Sequence, residues 1–149
     1  LDYVAVSRRT EGYDEIMIHG ISAVQVHAPY QGSLEAERAL IERVRGEVDC
    51  QVWRAVDMTS ASDAAGIAEL VDRLVLDSGA GGTGERFDWS RITTTDALLA
   101  GGLTPDNLGE ALGTGCLGLD MNSGFEDPRG HKDAAALRRG FATIRNFHY

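Results

Sequence analysis

Short aliphatic or β-branched runs recur along the chain at residues 3–6, 23–26, 52–56, 74–76, 97–100 and 117–119, with starts some 20 to 29 residues apart. Apolar runs this short, bounded by turn residues, read as buried strands. Helical patterns lie between several of them. Residues 33–44 repeat apolar Leu34, Leu40, Ile41 and Val44 at helical spacing, and residues 62–71, 104–112 and 132–147 are further helical segments. Strand and helix in alternation predict a parallel sheet covered by helices. Thr104-Pro105-Asp106 offers a hydroxyl at the N-cap, proline at the first helical position and an acid in the first turn, while Gly113 and Gly115 end the segment. Ser33 to Glu37 and Ser62-Asp63 carry similar cap chemistry. No proline-rich linker, low-complexity tract or block of like charge divides the chain, so residues 1–149 are expected to form a single domain.

This rhythm suits two architectures, a doubly wound open sheet and a (β/α)8 barrel. The glycine-rich turns discriminate between them. No G-x-G-x-x-G follows the first strand; glycines instead follow the last three strands, in Gly79 to Gly84, Gly101-Gly102 and Asn122-Ser123-Gly124. Barrels build phosphate sites from the loops after their last strands. The expected fold class is therefore α/β, a (β/α)8 TIM barrel of which about the last six βα units are represented, since a complete barrel usually needs ~200 residues or more.

Composition narrows the function classes. With 43% hydrophobic residues, 149 residues suffice for one well-buried core. No apolar stretch approaches the roughly 20 residues of a membrane span, and Leu1-Asp2-Tyr3 lacks the marks of a signal peptide, so a soluble, cytoplasmic chain is expected. Cys50 and Cys116 form no CxxC and have no histidine at ligand spacing, which favours small buried apolar residues over a disulfide or a zinc site. A net charge of -9 argues against nucleic acid or an anionic membrane as partner. An anionic small molecule would have to be held by local features such as backbone N–H groups at helix starts.

Candidate chemistry sits where the runs end. Gly101-Gly102 lets backbone approach a ligand, and Asn122-Ser123-Gly124 adds a hydroxyl and a second turn able to donate. Each alone reads equally well as a tight connection; two after consecutive strands favour a phosphate cradle. Asp77 and Asp120 each close an apolar run, where partial desolvation moves a carboxyl toward a useful proton donor. The competing role for either is a cap or a salt bridge. Asp88 reads as the cap of the turn at residues 89–92. Arg54 lies inside an apolar run, where it needs a carboxylate or an anionic ligand, and is expected to face the barrel mouth. His27 ends its run and either touches the ligand or is a hydrogen-bonded structural histidine. His19, His131 and His148 read as surface residues, and no histidine pair has metal-ligand spacing.

The segments Ala23-Val24-Gln25-Val26-His27, Val75-Leu76-Asp77, Gly81-Gly82-Thr83-Gly84, Phe87-Asp88-Trp89, Leu98 to Leu103 with Asn107, Gly118 to Gly124 with Glu126, and Gly130-His131-Lys132-Asp133 together resemble phosphoribosylanthranilate isomerase of tryptophan biosynthesis. Thr114-Gly115-Cys116-Leu117-Gly118-Leu119-Asp120 is most similar to the enteric form fused to indole-glycerol-phosphate synthase. The resemblance implies an isomerase that performs the Amadori rearrangement of N-(5-phosphoribosyl)anthranilate to 1-(2-carboxyphenylamino)-1-deoxyribulose 5-phosphate, without metal or organic cofactor. It makes Asp77 the general acid, and Gly101, Gly102, Ser123 and Gly124 the phosphate cradle. Asp120 and Asn122 fall at the last strand of the site, Gly82 in a loop near the ligand, and His27 and Arg54 near the substrate. It also implies a phosphorylated small-molecule substrate, and fusion to or association with the synthase.

Departures from the family are equally specific. The family's first strand ends in a cysteine that serves as general base, and its second is followed by a Ser-Pro-Arg loop; neither is among these residues, and neither Cys50 nor Cys116 aligns with the base. Residues 1–6 align best with the family's third strand, although Ser7-Arg8-Arg9 also admits a placement on the second. Two functions follow as expectations: the isomerase, or a non-catalytic phosphate-binding partial barrel that needs a partner or further segment to fold. A related phosphosugar isomerisation in histidine biosynthesis would need a second phosphate site.

Overall fold

In the computed structural model, residues 2–16, 20–59, 63–78 and 86–147 are described. Six parallel strands, β1 (Tyr3–Ser7), β2 (Ile21–Val26), β3 (Gln51–Asp57), β4 (Arg73–Asp77), β5 (Ala97–Leu99) and β6 (Gly118–Leu119), pair in sequence order. Each anticipated run is a strand. Among the described residues four α-helices lie between or after them: α1 (Leu34–Glu47), α2 (Ala64–Ala68), α3 (Leu108–Gly113) and α4 (Ala134–Asn146). The sheet curls into a half-barrel, and among the described residues β1 and β6 each pair on one side only. Tyr3 and Val6 on β1 are accordingly 66% and 61% exposed. No helix among the described residues is long and apolar enough to cross a membrane.

Successive side chains of a strand face opposite sides, and here both sides are apolar. Val56, Leu74, Leu76 and Leu99 face outward and pack with Ile67 of α2, Leu108 and Ala111 of α3, Phe125 and Ala136. Val24, Val26 and Val52 meet Leu40, Ile41 and Val44 of α1. The inward side is a smaller cluster of Ala55, Val75 and Ala100 with Trp53 and Leu98. The outer side holds most of the buried apolar side chains, and burial of apolar surface is the main favourable term in folding.

The helix starts differ in part from the expected ones. The Ser33 hydroxyl caps α1 by accepting from the Ala36 N–H, and the Asp63 carboxylate caps α2. Ser62, the expected start of that helix, lies outside the described residues. The third helix begins at Leu108 rather than at Thr104. The reason is Asn107, whose side chain accepts from the Thr104 N–H at 2.8 Å and donates to the Gly102 carbonyl at 2.8 Å, closing residues 102–107 into a turn before the helix can start. The last helix is capped by Asp133, which accepts from the N–H groups of Ala135 and Ala136. Asp88 accepts from the Ser90 N–H and caps the turn at Trp89–Arg91, as expected.

Candidate functional site

The carboxyl ends of the strands open on a cleft of about 390 Å³. Asp77, the last residue of β4, is 9% exposed at its wall. Its Oδ2 lies 3.2 Å from His27 Nε2, and its Oδ1 accepts from the Ser78 N–H at 2.7 Å. The amide of His27 donates to the Ser7 carbonyl, so the histidine is fixed where β2 leaves the sheet.

Gly101 packs directly on this acid. Its φ is +76°, and a Cβ built there would stand 2.5 Å from the Ser78 nitrogen and 2.6 Å from Asp77 Oδ1. Gly102 follows at φ +66°, so two consecutive left-handed residues form the turn after β5. The turn after β6 meets it: a Cβ on Gly124 would overlap the Leu103 carbonyl oxygen. The two candidate phosphate turns thus touch through main chain, and Gly101, Gly102, Asn122 and Ser123 all line the cleft. Lys132 Nζ donates at 2.6 Å to both Asn122 Oδ1 and Glu126 Oε1, which pins the second turn to the strand-like bridge between Glu126 and Lys132.

Asp120 also lines the cleft. Its side chain reaches water through the open mouth while protein surrounds it on the remaining sides, and this desolvation, followed by the negative charge of Asp77, pushes its carboxyl above the ordinary range; His27 and Lys132 oppose the rise. Two carboxylates in one cleft disfavour joint ionisation, which acts on Asp120 in the same direction as its desolvation.

The sequence candidates separate cleanly. Asp77, His27, Gly101, Gly102, Asp120, Asn122 and Ser123 converge on the cleft, and Gly124 lies behind it. Gly82 lies outside the described residues. Arg54 is a correction: it does not face the mouth but is fully buried on the outer side of β3, paired through Nε and Nη2 with Glu37 of α1 at 2.8 Å. Strand parity is the reason. Asp57 pairs in register with Asp77, and Arg54, three residues earlier, falls on the opposite side of the sheet. Cys50 and Cys116 sit just before β3 and β6, at the amino ends of the strands and away from the cleft. Both are half-buried rather than fully buried. His131 is exposed, as expected, whereas His19 and His148 lie outside the described residues. Sequence reasoning missed Val6 and Gln25, which line the cleft, and Ser78; Arg8, weighed only within an arginine loop after the family's second strand, lines it too. Alternation within β1 and β2 carries the signal for Val6 and Gln25. Among the described residues no group of three or more His, Cys, Asp or Glu could hold a metal.

A curled parallel sheet with helices outside and a cleft at the carboxyl ends of its strands makes the chain an α/β protein of half-barrel form. Residues 11–142 match the family described as N-(5'phosphoribosyl)anthranilate (PRA) isomerase, and the chain belongs to that family. It is 53% identical to the Tryptophan biosynthesis protein TrpCF of Corynebacterium glutamicum, over 100% of this chain and 34% of that protein. To the protein of the same name from Salmonella typhi it is 38% identical, over 99% of this chain and 33% of that one. The chain thus spans about a third of the length of these relatives. Its fold matches a phosphoribosyl anthranilate isomerase structure from Thermus thermophilus with a TM-score of 0.73 at 24% identity, covering 99% of this chain and 74% of that one.

Proposed function

We propose that this chain forms the acid and phosphate-binding part of a PRA isomerase, within a (β/α)8 barrel whose last six units it represents, and that the whole protein performs the Amadori rearrangement of N-(5-phosphoribosyl)anthranilate. The observation that carries this reading is Asp77, held between His27 and the main chain at Ser78 and overlaid by Gly101. In the proposed reaction the Asp77 carboxyl gives its proton to the furanose oxygen as the C1–O bond breaks, and the aniline nitrogen lone pair forms the C1=N bond. A base then takes the C2 proton to give the enolamine, which becomes the ketose as C1 gains a proton and the C2 hydroxyl loses its own. The reaction needs no metal or organic cofactor.

The touching turns at Gly101-Gly102 and Ser123-Gly124 would hold the phosphate by backbone N–H groups, with Asn122 and Asp120 alongside. The base is assigned to a segment beyond these residues, because Cys50 and Cys116 are at the wrong ends of their strands. By likeness to the TrpCF proteins, the same chain or an associated one carries indole-glycerol-phosphate synthase.

In the whole protein, Asp77→Asn should lower turnover by about 10²–10⁴-fold, the usual worth of a general acid, while a product analogue still binds. Normal turnover in that variant would sink the acid assignment. The exposed β1 edge favours a second reading, a phosphate-binding partial barrel completed by a partner. Complementation of an auxotroph lacking only this step, by this chain alone, would eliminate it.

A further inference from the structure

We propose that Arg54 is a positioning residue: clamped by Glu37 behind the sheet, it holds the main chain on both sides of His27 and so fixes the imidazole against Asp77. This rests on the reading of Asp77 as the acid. Arg54 points away from the cleft and touches no residue lining it through its side chain, so it can act only through another group.

The guanidinium has five N–H donors, and all are engaged. Nε and Nη2 bind the two oxygens of Glu37. Nη1 donates to the carbonyls of Val26 at 3.2 Å and Ala28 at 2.7 Å, the two residues that flank His27, and to that of Ala55 at 2.6 Å. Nη2 adds the Pro29 carbonyl at 3.1 Å. Glu37 Oε1 also accepts from the Gln31 N–H at 2.9 Å, so the pair grips residues 26–31 from behind. With its own amide bound to the Ser7 carbonyl, His27 has its backbone held from both sides, and its ring reaches Asp77 at 3.2 Å.

Stability alone gives a poor account of the arrangement. A buried ion pair can often be replaced by apolar residues of similar volume without loss, but no apolar residue can gather carbonyls from three positions of one connection. Lysine, a point charge with three donors, could keep the pairing with Glu37 and only part of that grip.

The test uses the full chain and reads the imidazole. Histidine ¹H–¹⁵N spectra are recorded for the wild type, for Arg54→Lys, and for Arg54→Met combined with Glu37→Gln, which leaves no unpaired charge in the core. The imidazole of His27 lies 3.2 Å from Asp77 while that of His131 is exposed, so the His27 ring ¹⁵N shifts should stand apart from those of His131 in the wild type. That signature should be lost in the double variant and weakened in Arg54→Lys, which keeps only part of the grip, with the exposed His131 unchanged throughout.

Should either variant fail to fold, the other carries the same readout. An unchanged His27 signature in a folded double variant overturns the proposal. In the whole protein, kcat should fall by about ten- to a hundredfold in the double variant with KM nearly constant, and this loss should disappear in a His27→Gln background. Additive losses would overturn it equally. A wild type without turnover would refute the proposed function while leaving the imidazole spectra to decide this one.

Discussion

Gly101 and Gly115 form a matched pair, because they share a backbone conformation and differ in what surrounds them. Their φ angles are +76° and +77°. A Cβ at Gly115 would have Thr95 Cγ2 as its nearest neighbour, at 3.7 Å, whereas one at Gly101 would press on Ser78 and Asp77 at 2.5–2.6 Å. In both positions alanine pays left-handed strain of about 1–2 kcal/mol, offset by about 0.4–1 kcal/mol from a stiffer unfolded chain. Gly115→Ala should therefore cost about 1 kcal/mol.

At Gly101 the added methyl must also push the Asp77 carboxylate off the Ser78 N–H. A hydrogen bond to a charged group is worth about 1.5–3 kcal/mol, which brings the total for Gly101→Ala to about 3–4 kcal/mol. At about 2–4 °C per kcal/mol for a chain of this size, melting temperatures followed by circular dichroism should fall by ~2–4 °C and ~6–16 °C respectively. Phosphate affinity, titrated in parallel, should drop for Gly101→Ala and stay constant for Gly115→Ala. Equal melting shifts for the two variants would refute the claim that Gly101 exists to let the turn lie on the acid.

Gly140 of α4 faces Phe125 and Leu108, and an alanine Cβ would stand 2.6 Å from the Phe125 ring in a fully buried site. Overpacking of about 1–3 kcal/mol should cancel or exceed the gain of about 1 kcal/mol in helix propensity, so Gly140→Ala should lower the denaturation midpoint or leave it unmoved; a clear rise would show that Phe125 yields freely. Asp120 has a folded-state pKa raised above its unfolded one, first by desolvation and then by Asp77, so the native state binds the proton more tightly and stability falls as pH rises through the folded value. Asp120→Asn should therefore melt higher than the wild type at pH 7, with the advantage shrinking as the pH drops into the ordinary carboxylate range, and a pH-independent difference in melting temperature would contradict that cause.

The six strands were legible because each is a short apolar run between turn residues, and the acid at the end of β4 was legible because it breaks such a run. The start of the third helix was not. Thr104-Pro105-Asp106 has good cap chemistry, but Asn107 reaches back to Gly102 and forward to Thr104, a tertiary closure that local propensity does not encode. The far wall of the cleft was hidden for a related reason. Val6 and Gln25 sit side by side in the β1–β2 register, yet only the alternation of Gln25 and His27 with Val24 and Val26 marks the inward side, and nothing in residues 3–6 does.

Arg54 shows what information was lacking. A parallel sheet covered on both sides has strands that are apolar on both faces, so the alternation that normally assigns a face is erased, and a charge inside such a strand could belong to either side. Its burial does not choose between an anionic ligand within the barrel and a carboxylate on a helix. The register does. Asp57 and Asp77 lie opposite each other on β3 and β4, so Asp57, Ala55 and Trp53 share the side of the sheet on which Asp77 meets the cleft, which sends Val56, Arg54 and Val52 toward the helices. The carboxylate that Arg54 then requires is supplied by Glu37, a residue that reads from sequence as one more acid in the first turn of α1. In a barrel of this kind, a strand-end acid therefore works as a phase marker: counting back from it by twos gives the residues that can meet a ligand, and the odd positions give those that can reach the site only by holding something else in place.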